Sequence, residues 1–235
     1  MARDIRLLTL DLDNTLWDVD STIIDAEKSM RQWMQAHAPE SLEHYTPEAL
    51  VGHRSAVVEA HPKKVHDLSF MRTAVLTRVM NAAGYDNAQA LAQSAFEVFF
   101  AGRNRVVFFP GAIASLAELR KNFTIYALTN GNADIERTGL SDYLHGAISS
   151  ADVGKSKPDP EMFKAPLREL DLSPHQAVHI GDNLVDDIAG ALDVGMYTVW
   201  VNLTSSSLGD SHAQPHQEIN HLKELPGAIA DIIGH

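Results

Sequence analysis

Four short apolar runs punctuate the chain, each bounded by turn residues: IRLLTLD at 5–11, FTIYALT at 123–129, AVHIG at 177–181 and YTVWV at 197–201. Runs of this length with little alternation read as strands covered on both faces, as in a parallel sheet. Helical patterns lie before and between the later strands. After Pro110-Gly111, the segment from Ala112 to Lys121 sets Ile113, Leu116, Ala117 and Leu119 near helical spacing. Asp159-Pro160 supplies an N-cap and first-turn pair for an amphipathic stretch through Met162, Phe163, Leu167 and Leu170. A third helical segment, Val185 to Val194, stops at Gly195, a residue suited to a left-handed C-cap. This alternation predicts an α/β fold with a doubly wound, Rossmann-like parallel sheet.

One long segment departs from the alternation. From Val19 to Asn104 only helical patterns occur, at Thr22–Ala38, Pro47–Ala60, Leu68–Ala83 and Ala88–Ala101, with breakers at HAPE, HPKK and GYDN between them. The pattern therefore divides the chain into an α/β core, 1–18 and 105–235, and an all-helical module, 19–104, inserted after the first strand. The polar stretch 202–217 reads as a surface loop, and a final helix is expected near Ile219–Ile233.

Composition narrows the possible partners. The 235 residues are 45% hydrophobic and 21% charged, enough for a sizeable core. The formal net charge is -12, with no basic run longer than Lys63-Lys64, so a nucleic-acid polymer or an anionic membrane is an unsuitable partner. A small phosphorylated molecule is compatible, because a local metal site can oppose the global field. There is no cysteine, which excludes disulfides, thiolate metal sites and cysteine nucleophiles. No signal-like segment and no apolar run long enough to span a bilayer are visible, so a cytoplasmic location is expected. Nothing in the sequence fixes the oligomeric state.

In open α/β sheets ligands bind beyond the carboxyl ends of the strands, so polar residues there carry the chemistry. The first run ends in Asp11, Asp13, Asn14 and Thr15, and the second in Thr129, Asn130, Gly131 and Asn132. The third ends in Gly181, Asp182 and Asn183, followed by Asp186 and Asp187, and KSKPDP with Lys157 lies between the second and third. Acids, a hydroxyl and a lysine on one edge suit metal-assisted phosphoryl transfer, with Mg²⁺ on carboxylate oxygens. A carboxylate can attack phosphorus, a second can move the leaving-group proton, and Thr and Lys can hold phosphoryl oxygens. Residues i and i+2 of an extended segment face one side, so Asp11 and Asp13 can share one phosphoryl group.

DLDNT, LTNGN, KSKPDP and GDNLVDD, in this order, resemble the four motifs of the haloacid dehalogenase superfamily, and the helical insertion resembles that superfamily's cap. The resemblance implies Asp11 as nucleophile and metal ligand. It makes Asp13 the general acid/base, with its backbone carbonyl on the metal. Thr129 becomes a phosphate ligand and Asn130 a secondary phosphate contact. Lys157 stabilises nucleophile and phosphoryl charge, Asp182 binds the metal, and Asp187 supports it. DLDNTLWD with LTNGN is most similar to the bacterial flavin mononucleotide (FMN) phosphatases and neighbouring 5′-nucleotidases, which implies FMN, nucleoside monophosphates or sugar phosphates as substrates.

Taken singly, each motif has a plainer reading: an acidic turn, a Thr-Asn-Gly turn, a helix cap, a solvated lysine. Their joint occurrence in order is what favours the site. Asp186 competes with Asp187, and Lys155 with Lys157; the following IAGA and the adjacent Pro158 favour the second of each pair. His179 reads as a satisfied core residue, and Trp17 and Trp33 as packing, with Trp17 and Asp18 also in reach of a lid role. Two other functions are compatible in part. A 2-haloacid dehalogenase shares fold and nucleophile, but by the same resemblance lacks the acid two residues later. A receiver-like phospho-acceptor signalling protein has no helical module after the nucleophile strand.

Overall fold

The computed structural model describes residues 2–207 and 213–234. Among them the sheet has six parallel strands: β1 (Leu7–Leu10), β2 (Thr124–Thr129), β3 (Gly146–Ser149), β4 (Ala177–Gly181), β5 (Tyr197–Val201) and β6 (Gln217–Ile219), in the order β3-β2-β1-β4-β5-β6. The winding reverses at β1, which lies between β2 and β4. The carboxyl ends of β1 and β4 therefore flank the switch point where such sheets bind ligands. All four β1 residues are buried, and Leu7 packs with Leu128, Met162, Phe163, Leu167 and Ala177.

Two compact units make up the chain. One comprises the residues up to 18, 107–131 and 138 onward; the other comprises 19–106 together with 132–137. The sequence pattern had left 132–137 with the α/β part. Within the helical unit the Asn132 amide donates to the Ser69 hydroxyl (3.1 Å) and the Asp134 N–H to Asn104 Oδ1 (2.8 Å), which ties this segment to the helices.

The helical unit is built from α1 (Val19–His37), α2 (Pro47–Ala60), α3 (Leu68–Ala82) and α4 (Ala88–Arg103). Ala26, Met30 and Met34 recur every fourth residue on α1 and are buried against Leu76, Val79, Phe96 and Phe99. α1 and α4 touch closely: a Cβ on Gly102 would lie 2.8 Å from Ala26 Cα.

In the α/β unit, α5 (Ala112–Leu119), α6 (Ser150–Val153), α7 (Pro160–Glu169), α8 (Gly190–Val194) and α9 (Leu225–Gly234) connect or cover the strands. The Asp159 side chain caps α7, and Gly195 adopts φ 93 after α8. The third predicted helix begins as a wide π-turn, Leu184–Ala189: the Asn183 carbonyl accepts from both Asp187 N–H (3.0 Å) and Ile188 N–H (3.1 Å). β3 and β6 correct the sequence reading. Both are short edge strands, and half-exposed edges lack the continuous apolar run by which buried strands are recognised. β6 closes the predicted 202–217 loop, of which 208–212 lie outside the described residues, and the final helix starts at Leu225 after a tight 222–224 turn. Among the described residues no helix is long and apolar enough to cross a membrane.

Candidate active site

Asp11 directly follows β1, and its N–H donates to the Ile180 carbonyl (2.9 Å), extending the ladder to the switch point. The chain then coils tightly. Asn14 takes φ 60, its N–H donates to the Trp17 carbonyl (2.8 Å), and the Leu16 N–H donates to the Leu12 carbonyl (2.9 Å). This coil carries the buried Thr15 hydroxyl back to the strand end, 3.3 Å from Asp11 Oδ2 and 3.1 Å from Asp182 Oδ1. It also brings the buried Trp17 ring under Asp13, whose Oδ1 accepts from the indole N–H (2.9 Å).

β4 delivers the opposing acids. Asp182 follows its last residue, and its backbone carbonyl accepts from the Trp200 indole (2.8 Å). The Asn183 side chain caps the π-turn by accepting from Val185 and Asp186 N–H (both 2.9 Å). That turn folds Asp187 back over the strand, where Asp187 Oδ2 accepts from Asn183 N–H (3.0 Å). Gly181 makes the space: a Cβ there would lie 2.3 Å from Asp187 Cγ. Of the two candidate acids it is Asp187 that is buried in the cluster, while Asp186 is half-buried beside it.

Lys157 joins the two sides. Its buried ammonium donates to Asp11 Oδ1 and to Asp187 Oδ1, both at 2.6 Å. Lys155 instead pairs at the surface with Asp159 (3.4 Å). The loop bearing Lys157 is gripped by Asn130, whose Nδ2 donates to the Lys157 carbonyl (3.0 Å) while its Oδ1 accepts from the Lys157 N–H (2.7 Å). Thr129, at the end of β2, is buried and accepts from the Gly131 N–H (2.9 Å).

Charge is unevenly balanced here. Burial opposes ionisation of Asp187, but the Lys157 charge, with the hydrogen bond from His179, outweighs it and holds Asp187 well below the usual carboxylate range. Burial likewise opposes the charge on Lys157, but Asp11 and Asp187 outweigh it and keep the amine above its ordinary range. Asp11 is pushed up to about 7 by burial and by the neighbouring Asp187 and Asp182 charges, despite Lys157. Asp182 is pushed up to about 6 by burial and by Asp187. Carboxylate oxygens of Asp11, Asp182 and Asp187 lie within 4.8 Å of one another. When all three carboxylates are ionised, they outnumber the one ammonium by two charges in a mostly buried space, and this repulsion is part of what pushes Asp11 and Asp182 up. Oxygen donors with that surplus fit a hard divalent cation.

A cavity of about 160 Å³ opens onto this cluster, lined by Asp11, Asp13, Thr129, Asn130, Lys157, Asp182 and Asp187. The structure thus brings all seven sequence-predicted residues to one place. Asn130 lines the cavity and also uses its side-chain amide to grip the Lys157 backbone. Trp17 is more than packing, because it donates to Asp13. His179 and Thr15 also touch the cluster, and the sequence reading assigned neither a role there. His179 lies in an apolar run that looks like core, and Thr15 is covered by the helix-like coil after the strand.

Comparison with known proteins agrees with this geometry. Residues 5–195 match the haloacid dehalogenase-like hydrolase family. The 5-amino-6-(5-phospho-D-ribitylamino)uracil phosphatase of Escherichia coli strain K12 is 33% identical over 230 residues, 96% of either chain. The phosphoserine phosphatase of Thermus thermophilus is 32% identical over 160 residues, 66% of this chain and 63% of that one. A crystal structure described as a 2-haloacid dehalogenase from Pseudomonas syringae pv. Tomato DC3000 superposes with TM-score 0.92 at 41% identity, covering 97% of this chain and 99% of that one. The chain belongs to the haloacid dehalogenase-like hydrolases. It is an enzyme of that family's phosphatase type.

Proposed function

We propose that the protein is a Mg²⁺-dependent phosphomonoester hydrolase of small metabolites that works through a phosphorylated Asp11. The observation that carries this reading is Asp13, which shares the Asp11 cavity and has its carboxylate oriented by the Trp17 indole. An attacking carboxylate alone can displace many leaving groups; a second acid beside it is needed when the leaving oxygen must be protonated.

Asp11 attacks phosphorus and the P–O bond to the leaving group breaks, while Asp13 gives its proton to the departing oxygen. Asp13 then takes a proton from water, which attacks the aspartyl-phosphate, releases inorganic phosphate and restores Asp11. Lys157 and Thr129 hold phosphoryl oxygens as charge moves among them. Asp11 and Asp182, with the Asp13 carbonyl and with Asp187 in support, would hold Mg²⁺, which when bound supplies charge that favours ionised Asp11 and offsets the phosphoryl oxygens. By the family resemblance, residues 19–104 act as the cap that selects the leaving group.

FMN, nucleoside monophosphates and sugar phosphates remain the proposed substrates. The E. coli relative is named for a 5-phosphoribityl group on a nitrogen heterocycle, a group that FMN also contains, so these two come first. A second reading, 2-haloacid dehalogenase, is favoured by the description of the P. syringae structure. Asp13 separates the two. The test is a panel of phosphomonoesters with Mg²⁺, with excess EDTA, and beside 2-chloropropionate without metal. Hydrolysis that EDTA abolishes is expected; metal-free halide release without phosphatase activity would replace this reading by the second.

A further inference from the structure

His179 is fully buried on β4, directly opposite Thr9 on β1 in the strand register. Its Nδ1 lies 2.8 Å from the Thr9 hydroxyl and its Nε2 3.2 Å from Asp187 Oδ1, while the Phe163 ring packs edge-on at 5.1 Å. Alternation along each strand explains the grouping. Thr9 and Asp11 share one face of β1; His179 and Gly181 share the matching face of β4, where the absent Gly181 side chain leaves room for Asp187.

The proton positions follow from the partners. Asp187 Oδ1 already accepts from the Lys157 ammonium at 2.6 Å, so in its 3.2 Å contact with His179 Nε2 the ring nitrogen is the donor. In a neutral imidazole, which has one N–H, Nδ1 then accepts and the Thr9 hydroxyl donates to it. We propose that Thr9 and His179 are positioning residues, forming a one-way hydrogen-bond chain from the Thr9 hydroxyl through His179 to Asp187 that holds Asp187 in place for Lys157. Asp187 then receives three donors, from His179, Lys157 and Asn183, and its rotamer is fully determined. The chain rests on the strand register and the two hydrogen-bond distances, with His179 neutral; its kinetic consequence rests on the phosphatase reading.

The test begins with the wild-type protein labelled with ¹⁵N-histidine. Two-bond ¹H–¹⁵N spectra distinguish the Nε2–H tautomer, the Nδ1–H tautomer and the imidazolium. The His179 signals are assigned by their loss in His179→Gln or, should that variant not fold, by correlation to the His179 backbone. The Nε2–H tautomer is expected. Thr9→Val keeps the side-chain shape but removes the donor. It should blur that tautomer pattern, lower the melting temperature because a buried nitrogen loses its donor, and lower kcat or Mg²⁺ affinity about 10–100-fold, the range found when an outer-shell partner is lost. Thr9→Ser should restore both signal and rate. An Nδ1–H tautomer or an imidazolium in the wild type, or a Thr9→Val enzyme with wild-type kcat and Mg²⁺ affinity, would overturn the chain. If the wild type hydrolysed no phosphomonoester, the phosphatase reading would fall, while the spectra and calorimetric Mg²⁺ titration of the same variants would still decide the chain.

Discussion

At Gly181 there is no room for a side chain, because the carboxylate of Asp187 occupies that space, 2.3–2.4 Å from where a Cβ would stand. Gly181→Ala must therefore displace Asp187, and with it one of the two partners of Lys157. Overpacking of this kind costs about 1–3 kcal/mol, so a lowered melting temperature together with a large loss of phosphatase rate is expected; wild-type values for both would contradict the packing described. Asp11 and Asp13 differ in kind at the same scale. Asp11→Asn removes the proposed nucleophile and should leave no turnover and no trapped phosphoenzyme. On the proposed mechanism Asp13→Asn keeps the attack and removes the proton transfer, an expected loss of about 10²–10⁴-fold. The deficit should be greatest on alkyl phosphates and smaller on p-nitrophenyl phosphate, whose leaving group needs less protonation. Equal rates of wild type and Asp13→Asn on alkyl phosphates would remove Asp13 from the mechanism.

Elements meet at this site through their ends. The end of β2 is locked to the start of the α7 segment by the Asn130 side chain, which satisfies both backbone polar groups of Lys157. Asn130→Ala leaves those groups without the amide, at a cost of about 1–3 kcal/mol if water does not replace it. Reduced thermal stability and a reduced kcat are expected from thermal melts and p-nitrophenyl phosphate assays. Asn130→Asp, which can accept from the Lys157 N–H but cannot donate to its carbonyl, should fall between Asn130→Ala and wild type. The elements themselves were legible to different degrees. The buried strands announced themselves because two covered faces demand an unbroken apolar run. β3, with GAIS, and β6, with QEI, sit at the sheet edges, where that demand lapses and the pattern dissolves into loop-like sequence. The π-turn was hidden for another reason: its extra residue serves to deliver Asp187, a tertiary requirement that leaves the helical period of LVDDIA nearly intact.

For the whole molecule, a cation held as proposed by Asp11, Asp182 and Asp187 would couple folding to cation binding. A Mg²⁺ ion that bound the assembled cluster and not the unfolded chain would raise the melting temperature in a concentration-dependent way. The gain is about 2.7 kcal/mol at a free concentration 100 times the dissociation constant. Asp182→Asn should lose most of that gain while melting near the metal-free wild type, as scanning calorimetry with and without EDTA would show. If the helical module is the selector of leaving groups, exchanging residues 19–104 for those of another family member should reorder FMN, nucleotides and sugar phosphates while sparing p-nitrophenyl phosphate. Proportional losses on all substrates would leave the module a structural role only.

By itself the sequence determined the buried parallel strands, the uninterrupted helical stretch after the first of them, and the placing of Asp11, Asp13, Thr129 and Asp182 at or just after strand ends, with Lys157 in a loop between two of them. Those features depend on local period and on the rule that sheets bind ligands at their carboxyl edge, so they can be read along one dimension. Tertiary structure decided what depends on proximity between distant residues. The β1–β4 register made His179 a partner of Thr9 and Asp187 rather than inert core. The coil after Asp11 brought the Trp17 indole to Asp13, and the contacts of Ser69 and Asn104 drew residues 132–137 into the helical unit. Hydrogen bonds across 170 residues, such as Thr9 to His179, leave no periodic trace, because either residue alone also satisfies the demands of a buried strand.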